Sequence, residues 1–299
     1  MNSSGRNGFW WDLAKDFLLP LVLGVFAGYM AYYIFVKETK RDRVNDEAKK
    51  AEERSDKLKY FSALVESALR TSIQQKNNLK NQIKAIRQNN VEFQLMTQVP
   101  LYDLKRISEE LNLEDYLLAY TNIYSQDRTA SVKEFKNTIA AIDYLYDVFQ
   151  HIIIQLKDSQ MYDYQRKKKL QEIYENGWNL SGRLMLYFQR NDPQSYSEFL
   201  QLYQNFMQNH QGDNYDLQFY NDFFFVPFND FCTTYMADNR RIIPEILELG
   251  IFTRDGKQSF NQVKSENDIV KNDLIGDFKI IYSSLMELRD NSERLLADF

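Results

Sequence analysis

A chain of 299 residues with 44% hydrophobic residues is long enough for one large domain or two modest ones with a sizeable core. Ten glycines and five prolines are few for that length, which sets the chain against an architecture of many short strands and favours long helices. The net charge of −5 gives no global argument for nucleic acid, and the one cysteine, Cys232, excludes an intramolecular disulfide and a cysteine-based zinc site.

Residues 1–16 form a short polar flank in which Trp10 and Trp11 stand where interfacial aromatics stand, at headgroup level. Residues 17–36 follow as FLLPLVLGVFAGYMAYYIFV, twenty residues without a charge between Asp16 and Lys37. A helix rises about 1.5 Å per residue, so this stretch matches the ~30 Å hydrocarbon core of a bilayer. It is too long for a signal peptide's apolar stretch, and no small-residue cleavage site follows it, so it reads as an uncleaved transmembrane helix. Gly24 and Gly28 form GxxxG, a spacing that lets two membrane helices approach closely. The flank before the anchor carries two cations, Arg6 and Lys15. Residues 37–54 carry seven: Lys37, Lys40, Arg41, Arg43, Lys49, Lys50 and Arg54. By the positive-inside rule the amino terminus lies outside an inner or plasma membrane and the rest is cytoplasmic.

Residues 37–96 read as a charged helical stalk. Positions 44, 48, 51, 55, 58, 62, 65, 69, 72, 76, 79, 83, 86 and 90 alternate steps of four and three, and nine of the fourteen are apolar or Ala. That is a coiled-coil seam, weakened at Ser55, Ser62, Ser72, Lys76 and Asn90. From Leu58 onward the same pattern serves equally for an amphipathic helix packed on its own domain.

Residues 97–299 read as an all-α domain of helical hairpins. Pro100 opens a short helix, and LEDYLLAYTNIY follows Asn112 as another. The clearest helix spans about Val132 to Leu156 behind a Ser131/Glu134 capping box, with apolar or aromatic residues at all eight seam positions. The basic run Arg166 to Lys169 suits a solvated helix face, or an anionic surface. Ser195 and Glu198 make a second capping box. In residues 215–235, Phe223, Phe224, Phe225 and Phe228 either fill the core around Pro227 or form an aromatic surface for a partner or planar ligand. Asp255-Gly256 signals a turn, here a small hairpin, and a last helix runs from about Phe260 to Leu296.

No pattern in the chain carries catalysis. His151 sits in the strongest core helix and reads as structural, while His210 sits in a loop. HExxH, GxSxG, GxGxxG and the EF-hand loop are absent, as is the Arg-x4–6-His arrangement of many small helical ribonucleases. The sequence around Gly250 to Lys257 imitates a phosphate loop but has five residues between its glycines, where four are needed. No catalytic residue, metal ligand or cofactor is implied. The expected role is a single-pass, membrane-anchored interaction or scaffold protein. It would bind the lipid bilayer, form a homo-oligomer and recruit a cytoplasmic protein partner, with no nucleic acid. The alternatives are a membrane-disrupting effector of bacterial anti-phage defence and an enzyme with an unfamiliar carboxylate site.

Overall fold

The computed structural model describes residues 19–93, 95–209, 217–238 and 243–299, and among these it contains helices and no strand. The class is all-α. Helix α1 is Leu19–Gln88 and α2 is Tyr102–Lys105, continued by a π-helical turn, Arg106–Glu110. Helix α3 is Leu113–Ile123 and α4 is Arg128–Asn191. Helix α5 is Pro193–Asn209 and α6 is Leu217–Tyr220, which leads through a π-helical turn, Asn221–Phe225, into α7, Val226–Ala237. Helix α8 is Pro244–Asp298. The described residues divide into two compact units: 19–63 with 112–133 and Phe299, and 64–111 with 134–298.

In the first unit, α1 carries the apolar segment and then residues 37–57, whose side chains are exposed except for half-buried Ser55. Burial begins at Leu58, Phe61 and Ser62, where α3 covers the helix with Ala119, Tyr120 and Thr121. Phe61 and Tyr116 lie 5.7 Å apart ring to ring, and Lys57 Nζ donates to Asp115 Oδ2 at 3.0 Å. The start of α4 is fixed by Asp127, whose Oδ1 accepts the Ala130 N–H at 2.9 Å. Ser131 is therefore inside the helix and is not its cap. Its hydroxyl donates to the Tyr124 carbonyl at 2.7 Å, which ties the chain after α3 to α4.

In the second unit, α1 buries Leu64, Val65, Ala68, Leu79, Ile83 and Ile86. The seam positions beyond Leu58 are thus covered by the chain's own residues, which is the packed amphipathic helix and not an open coiled-coil seam. Helix α4 buries Phe135, Ile139, Ile142, Phe149 and Leu156 of its eight-position seam, leaves Val132, Tyr146 and Ile153 half-buried, adds Leu145 and Ile152 to the buried face, and then continues unbroken to Asn191. Helix α8 buries Leu274, Ile281, Leu285, Leu288 and Leu295. Thr138 Oγ1 donates to the Asn291 carbonyl at 3.1 Å and Asn267 Nδ2 to the Asn90 carbonyl at 2.8 Å, which joins α8 to α4 and to the end of α1.

The cap of α5 is Asp192. Its Oδ1 accepts the Ser195 N–H at 3.1 Å and its Oδ2 the Ser195 hydroxyl at 2.6 Å, so Ser195 is a bonded first-turn residue and not the cap of a Ser195/Glu198 box. The expected hairpin at Asp255-Gly256 is also absent, since both residues lie inside α8, which begins at Pro244 and not near Phe260. Gly256 is in the helix for space. A Cβ there would overlap the ring of Phe225, and one at Gly177 would stand 3.1 Å from the ring of Phe224.

Two glycines of α8 give opposite expectations. Gly256→Ala should destabilise the fold, because overpacking against buried Phe225 costs about 1–3 kcal/mol and exceeds the helix-propensity gain of about 1 kcal/mol. Gly276→Ala, which meets nothing within 4 Å, should stabilise it by about 0.5–1 kcal/mol. Denaturant unfolding of the full chain in detergent, followed by circular dichroism, checks both.

Candidate functional site

Among the described residues one helix is long and apolar enough to cross a membrane, at the start of α1. Residues 21–35 are all exposed, so no protein surface covers them among the described residues. Gly24 and Gly28 leave open space where a Cβ would stand. Trp10 and Trp11, like Phe17 and Leu18, lie outside the described residues.

The aromatic segment is core. Phe224, Phe225 and Phe228 are 0%, 1% and 0% exposed. Phe224 and Phe228 lie 4.8 Å apart, and Phe224 meets Tyr174 edge-on at 5.2 Å. Phe199 packs edge-on to Phe228 at 5.3 Å, while Trp178 stacks on Tyr203 at 4.5 Å. Phe223 is half-buried and stacks on Phe219 at 5.0 Å. An aromatic docking surface built from Phe224, Phe225 and Phe228 is therefore excluded. These rings are spent on each other, each fully buried phenyl contributing about 2 kcal/mol.

The titratable groups offer no reaction centre. His151 is exposed, not a buried structural histidine, and His210 lies outside the described residues. Asp277 is held above the ordinary carboxylate range by burial, which outweighs the pull of His151, with Asp273 pushing the same way as burial. Burial pushes the Cys232 thiol up to about 12, which leaves no thiolate at neutral pH. Among the described residues no three His, Cys, Asp or Glu gather to hold a metal ion.

The described residues form several concave sites, and two of them, both in the second unit, set apolar side chains beside cations. A cavity of about 310 Å³ has an apolar lining of Leu170, Leu217, Tyr220 and Phe225, with Lys167 and Lys168 at its edge. Of the basic run, Arg166 pairs with Glu266, Lys167 Nζ donates to Asp163 at 2.8 Å, and Lys168 and Lys169 are exposed. The second site is a groove of about 870 Å³ between α1 and α8, lined by Asn77, Lys80, Asn81, Ile83, Lys84, Arg87, Gln88, Ile275 and Phe278. The seam analysis passed over it, although the signal lies in the charge pattern. Residues 67–91 hold Arg70, Lys76, Lys80, Lys84 and Arg87 and not one acid. None of these five is in an ion pair among the described residues. Neither lining sets a nucleophile beside a histidine or carboxylate base.

Asp163 is 8% exposed and its Oδ1 has no hydrogen-bond partner. Burial raises its carboxyl above the ordinary range although Lys167 and Arg166 pull it down. A raised folded value means that the ionised form opposes folding, so the stability the neutral form supplies is lost as pH rises through that value. Asp163→Asn should therefore gain stability over the parent chain between about pH 4 and pH 7, read as the difference in melting temperature across that range; a constant difference would show the carboxyl is not the cause. Compared with known proteins, the chain matches no family model, no curated protein and no solved structure.

Proposed function

We propose that this is a single-pass membrane protein that self-associates and holds a cytoplasmic helical body ready to recruit a protein partner. The observation that carries the reading is the uncovered apolar helix. A core helix of a soluble protein hides its apolar side chains, whereas none of residues 21–35 is hidden. Water would solvate fifteen exposed and mostly apolar residues at high cost, and a lipid core removes that cost while the helix satisfies its own backbone. The same helix then runs without interruption into exposed, charged residues 37–57, about 30 Å of solvated rod. The excess of Lys and Arg after the anchor supports a cytoplasmic body.

The open space at Gly24 and Gly28 supports helix contact within the membrane. Beyond Leu58 the stalk seam is occupied by the chain itself, so self-association falls to the anchor and to the exposed seam residues Val44, Ala48 and Ala51.

The full-length chain should stay with membranes through an alkaline carbonate wash, and a C-terminal alkaline phosphatase fusion should be inactive. Recovery in the supernatant without detergent would remove the anchor reading, and an active fusion would invert the orientation. Cross-linking in native membranes should trap a dimer that Gly24→Leu with Gly28→Leu reduces severalfold while membrane retention is unchanged; a dimer indifferent to both changes would move the contact elsewhere.

A further inference from the structure

We propose that the groove between α1 and α8 is the docking site for an acidic amphipathic helix of the recruited partner. This rests on the recruitment reading and supplies its site and its partner's chemistry. One wall is a stripe of α1. Ile73, Asn77, Lys80, Lys84 and Arg87 are exposed and advance by steps of four, three, four and three, which keeps them on one helix face over about 21 Å. The other wall is a stripe of α8. Ile275 and Phe278 are half-buried, and Tyr282 and Met286 are 54% and 42% exposed, at steps of three, four and four. The walls meet at both ends of the stripe. Ile83, Ile275 and Phe278 share the cavity with Lys80, Lys84 and Arg87, and farther along Lys76 Nζ sits 5.6 Å from the Tyr282 ring centre.

An apolar wall facing a cationic wall selects its occupant. A helix of about four turns, apolar on one stripe and carrying Glu or Asp beside it, covers Ile73, Ile275, Phe278 and Met286 and sets carboxylates against Lys80, Lys84 and Arg87. No acid among the described residues forms an ion pair with these cations, although acids outnumber cations in the chain as a whole. A nucleic-acid strand would satisfy the charges but leave Ile73, Ile275 and Met286, which offer no stacking face, uncovered. A flat bilayer surface would meet the exposed cations but not the half-buried Ile275 and Phe278 beside them.

The test titrates the full chain, in detergent micelles, into a fluorescein-labelled 15-residue peptide of Leu and Glu with Leu at alternating three and four spacing, and reads anisotropy. The expected result is saturable binding that weakens about tenfold or more in Lys80→Glu/Lys84→Glu/Arg87→Glu and in Phe278→Asp. The control Lys133→Glu/Lys136→Glu/Lys157→Glu, which makes the same change of charge at exposed sites, should bind as the parent does. Circular dichroism confirms that each variant is folded, and the α1 triple carries the result where Phe278→Asp is not. No binding, equal loss in the control, or equal binding of a peptide of the same composition with its Leu positions scrambled would each overturn the proposal. So would tighter binding of a single-stranded oligonucleotide or of phosphatidylserine vesicles that depends on the same three cations. Partners cross-linked in native membranes separate the two readings. If they survive the α1 triple reversal, the groove is wrong and recruitment stands; if none is captured while the peptide binds, recruitment fails by itself.

Discussion

Two phenyl rings and two glycines hold the second unit together. Phe224 and Phe225 are consecutive residues of one π-helical turn, and they enter different neighbours. Phe224 reaches Gly177 of α4, and Phe225 reaches Gly256 of α8. Each glycine removes the one Cβ that would stop the ring, so the turn seats itself against two long helices that are remote in sequence. Around this contact Phe188, Phe199, Phe206 and Phe228 pack ring to ring, with neighbouring centroids near 5 to 6 Å. A core made this way is intolerant of volume change, because the rings are buffered only by other rings.

Long helices also decide how this chain hides polar groups. A buried hydroxyl needs a partner, and in an unbroken helix the carbonyl four residues back is always in reach. Thr253 bonds to the Leu249 carbonyl at 2.8 Å, Ser292 to that of Leu288 at 2.7 Å and Thr121 to that of Leu117 at 2.9 Å. Small hydroxyl residues therefore enter the core at little cost where that bond is made. Ser62 and Ser72 are both buried at positions that interrupt the heptad seam, but the Ser72 Oγ has no hydrogen-bond partner. Gln75 is satisfied on one side only: its Oε1 accepts the Val99 N–H at 2.9 Å, which pins the chain that precedes α2, while its buried Nε2 has no partner.

Periodicity was the legible part of the sequence. The all-α class, the apolar anchor helix, α3 after Asn112 and the buried face of α4 all follow from spacing alone, because one helix face records its own burial. The errors share a different cause. Asp255-Gly256 carries a turn's local chemistry, but Gly256 answers to Phe225, thirty-one residues earlier. Ser131 and Ser195 fit a capping box locally, yet Asp127 and Asp192, each beginning one turn sooner, hold the first free N–H groups. His151 lies in the helix with the best core pattern and still faces solvent, since it is two residues from Phe149, about half a turn, which is enough to leave an apolar stripe. In each case a short-range rule is sound and a tertiary neighbour overrides it.

Charge is the remaining source of information, and it acts at two places along α1. In residues 37–54 cations are mixed with acids: Glu38, Asp42, Asp46, Glu47, Glu52 and Glu53 lie among them, and every side chain there is solvated. Such a segment, with its charges solvated and mixed in sign, gains little by binding anything. In residues 67–91 acids are absent and one helix face is buried in the chain's own core, so the cations crowd onto what remains exposed. Leaving like charges side by side on a helix is unfavourable by a few tenths of a kcal/mol for each neighbouring pair. Helix stability would be served by a single Glu among Lys80, Lys84 and Arg87, and none stands there. A repulsion left uncorrected inside an otherwise well-packed unit is what a surface looks like when its counter-charges are supplied from outside.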